Sequence, residues 1–141
     1  MPQSKSNENK IGLAFPFKFV KGDSEDENGE KRRLLKACTY EEHIKQSIRA
    51  LLLTGRRERV MRRDFGSRAG NYLFENIGAT TTSLIQHEIK TTIARYEPRV
   101  ELIGVKVNSS SRLPGVLSAE ISYHVLSTDS ADQLTVEFGG R

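Results

Sequence analysis

The sequence predicts an α+β fold, with two main helices packed on a small, mostly antiparallel β-sheet. Three observations carry that expectation. Two stretches repeat apolar residues at helical spacing, three C-terminal stretches alternate apolar with polar residues, and turn-forming residues separate them. The chain has 141 residues, which suits one domain and lets it bury roughly two thirds of its unfolded surface. Residues 1–10 read as a flexible polar tail and residues 11–141 as a single domain.

Taken in order, Ile11–Val20 is a short apolar run with phenylalanines at 15, 17 and 19, a period-two spacing that reads as a strand. Pro16 cannot donate to a ladder, so this strand is expected at an edge or with a break. Residues 21–30 read as an acidic loop, and a second extended piece near Leu34 to Ala37 is placed to pair back on the first. Thr39-Tyr-Glu-Glu42 is a capping box, in which the hydroxyl serves orphan amides and the carboxylate reaches back. Ile44, Ile48, Leu51 and Leu52 follow at helical spacing, which predicts a helix over 40–53 ended by Gly55. Residues 55–71 are rich in arginine and show no period, and a short helical turn is expected from Asn71 to Glu75.

A second helix is predicted from about Thr81 to Tyr96, with Ile85, Ile89, Ile93 and Tyr96 in one stripe and Leu84 and Thr92 beside it. Pro98 stops it, because a residue before proline is pushed out of helical geometry. Ile103, Val105 and Val107 are then expected to share a strand face. Leu117, Ala119, Ile121, Tyr123 and Val125 form the next alternation, and Leu134, Val136 and Phe138 the last.

Composition excludes several classes of function. Charged residues make up 28% of the chain and apolar ones 36%. No stretch approaches the roughly 20 apolar residues that span a bilayer. The polar start lacks the apolar segment of a secretory signal, and Cys38 is the only cysteine, so synthesis in a reducing cytoplasm is expected. Cys38 itself reads as a small packing residue. His43, His87 and His124 lie far apart with no ligand spacing, so neither a metal nor another cofactor is expected. No nucleophile elbow and no phosphate-binding glycine motif is present. Glycoside hydrolysis needs two carboxylates about 5 to 10 Å apart. Glu88 and Glu97, nine residues apart in sequence, would stand roughly 13 Å apart along a helix.

Two charged features remain. Arg56, Arg57, Arg59, Arg62, Arg63 and Arg68 cluster within the loop. They form either a basic surface for an acidic partner or a solvated loop, and nucleic acid is disfavoured because no aromatic side chains interleave with Arg56 to Arg63. Glu97-Pro98-Arg99 is either a helix stop or a docking corner in which proline holds a carboxylate and a guanidinium rigid.

The ordered set of Ile11-Gly-Leu-Ala-Phe-Pro-Phe17, Ile48-Arg-Ala-Leu-Leu-Leu-Thr54, Glu58-Arg-Val-Met-Arg-Arg-Asp-Phe-Gly66, Leu73-Phe-Glu75 and Tyr96-Glu-Pro-Arg99 resembles one known family. This is the baseplate wedge and sheath-initiator family of contractile-tailed phages, type VI secretion systems and extracellular contractile injection particles. The resemblance runs from about Ile11 to Phe138. It implies a non-enzymatic subunit in six copies around the tube of a baseplate, contacting wedge proteins, the sheath subunit and the inner tube. It places Glu97, Pro98 and Arg99 on the wedge, and makes Arg59, Arg62, Arg63, Asp64, Phe65 and Gly66 a candidate baseplate-contact loop. Leu134, Val136 and Phe138 would lie in the strand that templates the first sheath ring, because an open sheet edge accepts a partner strand. Two departures stand out: Arg63 replaces a proline usual in the family, and the insertion from Lys21 to Lys36 is long. The Phe-Pro-Phe start leans toward the extracellular particles. Some members were once connected with cell-wall cleavage, for which the carboxylate pair is missing here.

Overall fold

The computed structural model of the protein describes residues 10–14, 17–25, 27–74, 78–110 and 115–139. The tail expected over residues 1–10 lies outside these apart from Lys10, and Phe15, Pro16 and Glu75 lie outside as well. The chain divides into two compact units, Met1–Gln46 and Ser47–Arg141.

The first unit carries four short strands: β1 (Lys10–Leu13), β2 (Phe19–Glu25), β3 (Lys31–Leu35) and β4 (Ala37–Thr39). β1 pairs antiparallel with β4, and β2 with β3. The pairing back of the Leu34 region is therefore present, but half of the expected acidic loop is strand. The register explains why a polar segment can extend: Lys21 lies opposite Arg33 and Glu25 opposite Lys31, while Phe19 meets Leu35 and Val20 meets Leu34. The two apolar pairs and the Glu25–Lys31 pair of opposite charge favour the ribbon, and the like charges of Lys21 and Arg33 oppose it. Cys38 is buried, as a packing residue should be.

Helix α1 (Tyr40–Leu53) starts at the capping box read from the sequence. The Thr39 amide donates to Glu42 Oε2 at 3.0 Å and the Glu42 amide to Thr39 Oγ1 at 3.3 Å. Ile44, Ile48, Leu51 and Leu52 are all buried. The helix closes differently from expectation. The Thr54 amide and hydroxyl both donate to the Ala50 carbonyl, and Gly55 already belongs to the loop, bridging to Ser67.

In the second unit a 3-10 turn (Ala69–Phe74) precedes helix α2 (Ala79–Tyr96). Three strands follow: β5 (Val100–Ser109), β6 (Leu117–Val125) and β7 (Ser130–Phe138), in the spatial order β5-β6-β7 and antiparallel throughout. α2 packs against β5. Thr81, Ile85, Ile89, Thr92 and Ile93 are its buried residues, and each isoleucine contributes roughly 1.5–3 kcal/mol of transfer free energy. Leu84, expected beside that stripe, is exposed instead. The helix turns by about 100° per residue, which leaves position 84 on the flank while Thr81 takes the inner place.

β6 alternates as read, with Leu117, Ala119, Ile121, Tyr123 and Val125 inside, and Leu134, Val136 and Phe138 of β7 are inside as well. β5 departs from expectation. Val105 and Val107 are buried but Ile103 is 64% exposed. Leu102 pairs with Tyr123 and Gly104 with Ser122, so Ile103 is an extra residue in a β-bulge. The α+β class holds. In place of one sheet, however, the described residues form three antiparallel sheets, two of two strands and one of three.

Candidate functional site

The corner between α2 and β5 is built around a buried carboxylate. Glu97 follows the last helical residue, and its amide still donates to the Ile93 carbonyl at 2.8 Å. Pro98 then prevents another turn. Only 3% of Glu97 is exposed, whereas a third of the Arg99 side chain meets solvent. The Arg99 guanidinium grips the carboxylate as a fork, Nε to Oε1 and Nη2 to Oε2 at 2.8 Å. From α1 the Ser47 hydroxyl donates to Oε2 at 2.7 Å. The two charges expected to project together do not do so. The carboxylate points inward and orients the guanidinium, leaving exposed Pro98 and the solvent-facing third of Arg99 as the outer surface. Bidentate charge-assisted bonds fix the plane of an arginine as no lysine could be fixed.

The candidate contact loop is pinned at several points. The Ser67 amide donates to the Thr54 carbonyl at 2.9 Å and the Arg57 amide to the Arg63 carbonyl at 3.1 Å. Gly66 adopts φ 111°, and a Cβ there would collide with the Thr54 carbonyl oxygen. Asp64 is held by α2, with its carbonyl accepting from the Tyr96 hydroxyl and its carboxylate 4.0 Å from Arg95. Phe65 packs edge-on against Tyr96, ring centroids 5.4 Å apart, and Arg59 lies 4.7 Å over the Phe65 ring. Arg62 and Arg63 are exposed, as are Val60 and Met61. Sequence reasoning missed the anchors, Glu88 and Tyr96. Glu88 accepts the Arg68 amide at 3.1 Å and stands 3.9 Å from the Arg56 guanidinium. A lone carboxylate at position 88 of α2, in a chain whose arginines outnumber the acids of the loop, was the available signal.

Leu134, Val136 and Phe138 lie in β7, an edge strand of its sheet among the described residues, but their side chains face the core. What this edge can offer a partner is its main chain and the outward residues Thr135 and Glu137. The Thr135 carbonyl accepts from Arg49 Nη2 at 3.4 Å.

The same fold occurs in baseplates of contractile particles. A chain of the six-fold symmetrised baseplate of the anti-feeding prophage is 27% identical, with TM-score 0.64 over 80% of this chain and 82% of that one. A chain of the postcontracted pyocin R2 baseplate, 22% identical, shares the fold with TM-score 0.50 over 87% of this chain and all of that one. A Geobacter sulfurreducens structure provisionally assigned as a tail lysozyme is 37% identical, with TM-score 0.70 over 77% of this chain and 97% of that one. Baseplate wedge protein gp25 of Enterobacteria phage T4 is 30% identical over 64 residues, 45% of this chain and 48% of that protein. The match thus spans about half that relative's length. Residues 38–130 match the family of baseplate wedge protein gp25, and the chain belongs to that family. The matched span includes the arginine loop and the Glu97–Arg99 corner, while Leu134, Val136 and Phe138 lie beyond it.

Proposed function

We propose that this chain is a non-enzymatic structural subunit in the baseplate of a contractile injection particle. It is present in six copies around the inner tube, docks on wedge proteins and starts the first ring of the sheath. The observation that carries this reading is the corner after α2, where the carboxylate of Glu97 is fully engaged in holding Arg99. A guanidinium fixed in this way loses little side-chain entropy on docking. The loop carrying Arg59, Arg62, Arg63, Asp64, Phe65 and Gly66 gives a second contact with the baseplate. The main-chain edge of β7 provides the start for the sheath, pairing with a strand of the first sheath subunit.

A muralytic reading draws on the relative assigned as a tail lysozyme. Glu97 is buried under Arg99 and Ser47, and Glu88 is tied to Arg56 and the Arg68 amide. Neither carboxylate is placed as a free proton donor, so the assembly reading is favoured.

The test uses particles assembled around variants. Arg99→Lys keeps a charge opposite the buried carboxylate but loses the fork, and Pro98→Asp puts a negative charge on the exposed corner. Both are expected to melt within about 5 °C of the parent and to enter baseplates poorly. Thr135→Lys with Glu137→Lys guards the β7 edge with charge and is expected to give baseplates without polymerised sheath. Normal incorporation of the corner variants would remove the docking role, and full-length sheath on the edge variant would remove the templating role.

A further inference from the structure

The pinned loop encloses a feature that the docking corner does not use. Arg56, Arg57, Arg63, Asp64, Arg68 and Asn71 line a half-enclosed pocket of about 350 Å³. We infer that this pocket receives an acidic peptide segment of a neighbouring protein, its guanidiniums taking two or more carboxylates at once. The inference deepens the assembly reading and rests on it only for the kind of partner.

Four observations converge. First, the charge is unbalanced. The pocket gathers four guanidiniums and one carboxylate, and that carboxylate, on Asp64, is shared with Arg95. Glu88 adds a second negative charge beside Arg56, so two positive charges remain in excess. Among the described residues no carboxylate pairs with the side chains of Arg57, Arg63 or Arg68. Gathering like charges without a ligand is unfavourable, and incoming carboxylates would relieve it. Second, Arg56 Nε is buried with no hydrogen-bond partner among the described residues. A native structure rarely leaves such a donor idle without a reason. Third, Arg57 adopts φ 73°, a left-handed conformation that costs a non-glycine residue free energy and clusters at ligand sites. The Arg57 amide bond to the Arg63 carbonyl locks that geometry. Fourth, size and lining select the ligand. The volume of about 350 Å³ is more than a single oxyanion fills. Among the described residues no aromatic ring lines the pocket to stack a base, and Phe65 is engaged by Tyr96 and Arg59.

The experiment uses the full chain free of other baseplate proteins, titrated against a fluorescent peptide of alternating glycine and glutamate. The parent is expected to bind it, with affinity falling as salt rises. Arg57→Asn with Arg63→Gln keeps a residue tolerant of the left-handed backbone at position 57 and is expected to weaken binding at least about tenfold. Lys90→Gln with Lys106→Gln removes the same charge from exposed positions outside the loop and the pocket and should change binding by less than about twofold. Arg99→Lys should leave it unchanged, which separates this site from the docking corner. Absent binding, equal losses in the two double variants, or tighter binding of inorganic phosphate or single-stranded DNA than of the peptide would each overturn the inference.

Discussion

Glu97 shows how one side chain can be decisive without touching a partner. Its carboxylate is buried, and its two oxygens hold Arg99 and Ser47. Replacing it with glutamine keeps the volume but removes the charge that the guanidinium was oriented to meet. Because a third of Arg99 is exposed, water can take over part of the lost interaction. Glu97→Gln is therefore expected to lower stability by about 1–3 kcal/mol, below the loss for a fully enclosed pair. Chemical denaturation of parent and variant measures the difference. Sequence alone revealed the chemistry of the Glu-Pro-Arg run but not which way it faced. Ser47 lies 50 residues from Glu97, and no local pattern announces a pairing of that range. Gly66 was legible as a loop residue, whereas its clash partner, the Thr54 carbonyl, became visible only with the loop closed.

Elements were legible where their periodicity was strong and their ends carried chemistry. α1 runs from Tyr40 to Leu53 because the capping box sets its start and four apolar residues set its buried side. Thr39→Ala removes the reciprocal cap and is expected to cost about 1 kcal/mol, a fall of roughly 3–5 °C in melting temperature for a domain of this size. Thermal unfolding checks it. β6 was equally clear, since five alternate residues are buried without exception. β2 was not. Its polar, acidic sequence reads as loop, and it is extended because β3 lies opposite, a partner chosen by register rather than by propensity. β7 was recognised as a strand, but the side chains singled out on it serve the core, leaving the backbone as its outward asset.

At the scale of the whole molecule, the described residues hold the two candidate acids of a hydrolase in opposite ways, one beneath an arginine and one bracing a loop. The purified chain is accordingly expected to release no products from peptidoglycan above a buffer blank, and Glu88→Gln to leave that background unchanged. Turnover that disappears in the variant would contradict this. The α+β class, both helices and the C-terminal strands could be read in advance because each buries a regular apolar side. The division into three sheets could not, since it depends on which edges meet.

The bulge at Ile103 makes β5 a strand with a spare link. Val100 and Leu102 before it and Val105 and Val107 after it would have opposite parity in an unbroken ladder, and the unpaired residue brings both halves into step. Excising Ile103 would leave Leu102 opposite Tyr123 and bring Gly104, still opposite Ser122, directly after it. Chains lacking that residue should fold with the same inner surface. Excising Lys106 instead would turn one half of the strand inside out, so length variants of this protein are expected to tolerate the loss at the first position and not at the second. Circular dichroism and thermal melting of the two deletions distinguish them.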